Sequence, residues 1–218
     1  MLGITGDESE KEGKVNDLVE KLERGEITSK DALKELKKRG LLEPETWEII
    51  PWVAYFALWL LPFVSSQLKL DFLAFFAQLP SISFPSIVIY VMFVPLVIGT
   101  VFLVWAAHSH YTRGGLKKVD ETIFLYKEGP YRIMRHPGAF GGLMWPVLLP
   151  IVLSAYIPFT LLSVGAMLTM IIYAYLGLYL EEKLDIEKWG SEYQQYMKEV
   201  PKINFILGIW RLRLQKKG

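Results

Sequence analysis

The chain of 218 residues contains no cysteine. That excludes disulfides, thiolate-bound zinc and a cysteine nucleophile. Charge is scarce over long stretches. It gathers in residues 7–48, 113–135 and 181–217, and the runs between carry almost none. Net charge is only +1, so no nucleic acid or other polyanion is expected as a partner. Histidine occurs three times, as His108, His110 and His136, too loosely spaced and without acidic neighbours for a metal site. No Gly-rich phosphate loop and no nucleophile elbow is present.

What is abundant is apolar: hydrophobic residues make up 52% of the chain. Segregating charge from long apolar runs is a membrane-protein pattern, because a charge near the bilayer centre costs about 2.5–3.5 kcal/mol. The polar, acidic start does not read as a signal peptide, and no small-residue cleavage site follows the first apolar run near residue 49.

Residues 1–46 read as a small soluble helical hairpin. Val15, Leu18, Val19 and Leu22 recur at helical spacing, which predicts a helix near 12–24 stopped by Gly25. Thr28 and Asp31 form a capping-box pattern opening a second helix, Asp31–Arg39, ended by Gly40. About 35 residues bury little core unaided. The hairpin is either a solvated appendage or a regulatory or oligomerising element whose protein partner is unknown.

Residues 47–218 read as the membrane domain. A first span is expected over Ile49–Ser65, with Trp47, Glu48 and Trp52 at the interface. Residues 66–85 are broken by Lys69, Asp71, Pro80 and Pro85, so an interfacial or re-entrant segment is expected there, with a full span as the rival. Further spans are expected at Ser86–Ala107, Gly138–Ala155 and Phe159–Leu180, the last two joined so briefly that they form a tight antiparallel hairpin. The tail, 181–218, is amphipathic and ends in a basic run. The expected fold is an all-α, polytopic membrane helical bundle of about four transmembrane helices. Nine Lys and Arg precede the first span, six lie in 108–136 and eight follow the last; the positive-inside rule then places both termini and the 108–136 loop in the cytosol.

Two polar patches interrupt the apolar half: Tyr126 to Pro137, and Glu181-Glu182. The hairpin between them returns the second patch to the side of the first, bringing Arg135, His136 and the glutamates close. Each has a plainer reading. Arg132 and Arg135 suit positive-inside anchors, His136 an ordinary interfacial residue, and the glutamates a solvated helix end. Two carboxylates at a helix C-terminus oppose its dipole, however, and call for a cation.

Gly129-Pro130-Tyr131, Arg135-His136-Pro137 and, some forty residues on, Glu181-Glu182 resemble the signature of integral-membrane methyltransferases, a group that includes the isoprenylcysteine carboxyl and phospholipid N-methyltransferases. Trp189-Gly190-Ser191-Glu192-Tyr193, Tyr196 and Val200-Pro201 are similar to that family's tail, and the resemblance spans about 86–207. It implies S-adenosylmethionine as cofactor. Ile123, Phe124, Leu125 and Tyr126 would flank the adenosine, Tyr131 would line the pocket, His136, Pro137, Gly138 and Ala139 would follow the cofactor, and Glu181 would take its ammonium. Arg135 and Glu182, the residues expected to serve catalysis, would pair and shape the floor. A lipophilic acceptor would enter from the bilayer between helices. Enzymes that methylate prenylated cysteine resemble one another in an arginine shortly before the glutamates; Tyr175–Leu180 holds none, which argues against a free-carboxylate substrate. Two other readings stay open: a nicotinamide-dependent membrane reductase, similar in its Gly–Tyr–Val-Pro tail, and a non-enzymatic membrane scaffold.

Overall fold

The structure, a computed structural model, describes residues 13–41, 49–69, 71–113 and 123–215. Trp47 and Glu48, expected at the first interface, lie outside them. The described residues are helical in all their named elements: α1 (Asn16–Glu23), α2 (Ser29–Lys38), α3 (Ile49–Leu68), α4 (Ala74–Ala77), α5 (Ser86–Arg113), α6 (Pro137–Val152), α7 (Leu161–Glu199) and α8 (Phe205–Gln215), with short 3-10 turns at Asp71–Leu73 and Gly129–Arg132. The chain divides into two compact units. One holds Met1–Glu43, Val104–Gly138 and Leu178–Gly218; the other holds Pro44–Leu103 and Ala139–Gly177.

Among the described residues, three helices are long and apolar enough to cross a membrane: α3, α5 over Ser86–Thr112, and α7. Only 17–22% of their apolar windows is buried inside the protein. Helices that are apolar all round and still exposed need an apolar solvent, which fits a lipid bilayer. The expected span at Gly138–Ala155 differs. Its helix, α6, has only 16 residues, or about 24 Å of rise against roughly 30 Å of hydrocarbon. The chain leaves the helix after Val152 in a turn in which Tyr156 and Ile157 donate to the Leu153 carbonyl. The described residues of 66–85 hold the end of α3, the 3-10 turn, the four-residue α4 and an isolated bridge from Ile82 to Phe159, and among them no helix has spanning length.

In the second unit, Tyr55 and Trp59 of α3 pack with Ala166 and Met170 of α7, and Leu143 and Leu149 of α6 fill in around them. α5 and α6 meet backbone to backbone: a Cβ on Gly141 would fall 2.3 Å from the Gly99 carbonyl oxygen, the close approach that small residues permit between membrane helices. α7 begins on a cap, with the Thr160 N–H donating to Ser163 Oγ and the Leu162 N–H to Thr160 Oγ1.

In the first unit, the capping box of α2 forms as the sequence predicts: Asp31 N–H donates to Thr28 Oγ1, and Thr28 N–H to Asp31 Oδ2. Gly25 and Gly40 end the two small helices at positive φ. Their apolar face is not solvated. Val15, Leu18, Ala32, Leu36 and Leu41 share one core with Ile123, Trp189, Tyr193 and Tyr196. The attachment has a backbone cause. Gly190 sits at φ 55, ψ −129 and breaks the ladder of α7. The carbonyls of Glu187 and Lys188 accept instead from the N–H groups of Lys14 and Val15, at 3.1 and 3.3 Å. Buried carbonyls need such partners. Arg39 then locks the arrival point, donating to the Lys14 carbonyl at 2.7 Å and to both Asp17 oxygens at 2.8 Å.

Candidate functional site

The site forms where the 123–136 segment meets the polar half of α7, all within the first unit. α7 does not stop where its apolar run stops. It continues through Glu181, Glu182, Asp185 and Lys188, and its second arm beyond Gly190 runs to Glu199. The acid pair is therefore internal to a helix, and the expectation that it sits against a C-terminal dipole is corrected. The cations it calls for come from tertiary contacts.

Arg135 is delivered by two backbone bonds. Its N–H donates to the Pro201 carbonyl at 3.0 Å, and that of His136 to Lys202 at 3.1 Å. The Arg135 guanidinium is buried. Nε and Nη2 donate to Glu182 Oε1 at 3.0 and 2.5 Å, and Nη1 donates to the carbonyls of Met197, at 3.0 Å, and Val200. An arginine has five N–H donors; these bonds occupy four. Arg211 treats the same helix end alike, donating to the carbonyls of Lys198 and Glu199. Two arginines thus satisfy the orphan carbonyls that close α7, where positive charge also complements the dipole. With four of its five donors engaged inside the protein, Arg135 ties the 133–136 segment to Glu182 and to the end of α7.

Glu182 Oε2 receives Lys202 Nζ at 2.6 Å. His136 Nδ1 lies 3.2 Å from Glu181 Oε2, and its Nε2 lies 3.4 Å from Glu182 Oε1 without hydrogen-bond geometry. The two acids differ in exposure: the Glu182 side chain is 9% accessible and that of Glu181 45%. Glu182 is consumed by protein cations. Glu181 keeps an open side.

Burial alone would lower the His136 pKa, but Glu181 and Glu182 outweigh it and raise the group from 6.5 to about 9. A folded value above the unfolded one stabilises the protein fully below about pH 6.5, and the contribution is lost as pH rises through about 9. Its size is on the order of a few kcal/mol. The melting temperature of the detergent-solubilised protein is expected to fall across that window, and His136→Asn is expected to flatten the fall. An equal fall in the variant would assign the titration to another group.

The remaining expected site residues divide between buried and half-buried positions. Ile123 is buried in the core shared with the N-terminal hairpin, and its carbonyl accepts from Trp189 Nε1 at 2.8 Å, which withdraws that carbonyl from a ligand. Phe124, Leu125 and Tyr126 are half-buried. The Tyr126 and Tyr131 rings meet edge to face at 5.4 Å, and Tyr196 Oη donates to the Tyr131 carbonyl at 2.7 Å. Lys127 pairs with Glu192 at 2.7 Å, tying the same segment to the second arm of α7. Pro137 is buried at the start of α6, with Gly138 half-buried behind it, whereas Ala139 falls in the second unit. His108 and His110 lie on α5.

Lys202 and Asp185 were not singled out by the sequence reading. Asp185 is buried one helical turn beyond Glu181, 3.7 Å from Lys188. Its signal was the spacing Glu181–Glu182–Asp185 on one helix face. Lys202 carried only its place after Val200-Pro201. Comparison with protein-family models, with curated proteins and with solved structures finds no match for this chain.

Proposed function

We propose that this protein is an integral-membrane methyltransferase that uses S-adenosylmethionine, of the kind that includes the isoprenylcysteine carboxyl and phospholipid methyltransferases, and that it methylates a lipophilic acceptor. One observation carries the reading. Two polar patches 47 residues apart in sequence close into one buried ion cluster, and within it a single carboxylate, Glu181, stays open on one side.

The residues present fit such a cofactor. Glu181 offers a carboxylate to an ammonium, the buried Nε2 of His136 lacks a hydrogen-bond partner, and Tyr126 and Tyr131 offer aromatic surface. When bound, the cofactor supplies an electrophilic methyl group on a sulfonium, already activated. The chain then needs to do little acid–base chemistry. Arg135 and Glu182 fix the 133–136 loop against α7, the aromatic pair and the buried core beneath it exclude water, and positioning provides the acceleration. An amine acceptor would also have to lose a proton, which a carboxylate would not. The apolar stretch Tyr175–Leu180, without a cation, favours acceptors that carry no free carboxylate.

The finer topology belongs to the same proposal. α6 serves as a fourth membrane segment, shorter than the bilayer and accommodated by local thinning. Both termini face the cytosol, as the Lys and Arg distribution favours. The test is transfer of labelled methyl from the donor, by the full-length protein in vesicles, to the lipids of its own cells. Label is expected in the organic phase and is expected to vanish with Glu181→Ala. An organic phase without label, from folded protein, contradicts the proposal.

A further inference from the structure

α8 packs by one face and presents the other. Gly208 faces inward, so close to the Ile133 carbonyl that no side chain fits. On the opposite face stand Ile206, Trp210 and Leu214, spaced i, i+4, i+8 and exposed at 69%, 58% and 52%. Arg213 is exposed beside them. From Lys202 to the end of the chain there are five Lys and Arg and no acidic residue. An apolar stripe with a tryptophan, in a tail whose charged residues from Lys202 onward are all basic, has the character of a helix that lies in a membrane interface and favours anionic lipid. A second copy of the chain fits this face poorly, because a symmetric contact would set Arg213 and its basic neighbours against their own like charges.

We propose that α8 is an interfacial helix whose Ile206–Trp210–Leu214 face enters the headgroup region of an anionic phospholipid surface, with Arg213 and the basic character of the tail's sequence supplying the attraction. The engagement bears on the candidate site through the backbone. The helix sits on Ile133, and the segment leading into it holds the N–H groups of Arg135 and His136.

The chain lacks cysteine, so single labels can be placed without removing any native thiol. Nitroxides at Ile206→Cys, Trp210→Cys and Leu214→Cys, with exposed Lys34→Cys on α2 as the control, are compared in full-length protein in phosphatidylcholine vesicles with and without phosphatidylglycerol. With phosphatidylglycerol, the three α8 labels are expected to collide more with oxygen than with a water-soluble nickel chelate, and the control to do the reverse. Changing Arg213, Lys216 and Lys217 together to Gln is expected to abolish the oxygen preference at positions 206 and 214. Nickel preference at the α8 labels in anionic vesicles would overturn the proposal. So would shielding from both reagents with label–label broadening, the mark of a second copy on this face.

Discussion

Arg135→Ala is expected to destabilise the protein by about 3–5 kcal/mol, the usual cost of removing one member of a buried ion pair. The substitution removes four bonds at once. Glu182, 9% accessible, keeps only Lys202 and the neighbouring imidazole. The carbonyls of Met197 and Val200, at the end of α7, lose their donor. Unsatisfied buried carbonyls and a half-paired carboxylate cost more than the pair itself contributes. The double variant Arg135→Leu/Glu182→Leu should therefore recover much of the loss, since buried pairs can be replaced by apolar side chains at little cost, while donor binding should not return. Chemical unfolding in micelles measures both. A loss below about 1 kcal/mol in Arg135→Ala would mean the pair behaves like a solvated surface contact, and the cluster would not be the buried unit described.

The second large effect is expected at Gly208. A Cβ there would meet the Ile133 carbonyl oxygen at 1.8 Å and its carbon at 2.7 Å. These are backbone atoms, so no rotamer change relieves the contact. Either α8 lifts off or the 133–136 loop shifts. Overpacking of this kind costs about 1–3 kcal/mol, and Gly208→Val should exceed Gly208→Ala. The loop carries Arg135 and His136, so donor affinity should fall together with stability. A Gly208→Ala protein that melts and binds like the parent would show that the contact is not tight.

These two sites also mark the boundary of what the sequence makes legible. Local signals read well. The capping box of α2, the stops at Gly25 and Gly40, and the start of α5 at Ser86 each depend on neighbours a few residues away. The start of α3 is legible as the onset of an apolar run. The two halves of the polar cluster were legible as a pair because a short hairpin between apolar segments constrains where its ends go. The continuation of α7 was not: its apolar run ends at Leu180, yet the helix continues on tertiary contacts, so the acids looked terminal. Lys202 was illegible because its partner, Glu182, is reached only after the chain turns at Val200-Pro201. The hairpin of residues 13–41 looked like an appendage because nothing local announces that Val15 and Leu36 will share a core with Trp189 and Tyr193, or that Gly190 leaves carbonyls for Lys14 and Val15 to cap. The shortness of α6 was hidden by apolar residues that run on past Val152 into a turn.

The central claim is that Glu181 is the open carboxylate of a cofactor site. It is tested most directly by calorimetric titration of S-adenosylmethionine, and of its demethylated product, into the detergent-purified full-length protein and into Glu181→Ala. Saturable binding of both by the parent, absent in a Glu181→Ala protein that melts normally, is the predicted result. No binding of either by the folded parent, or equal binding by the variant, would contradict it.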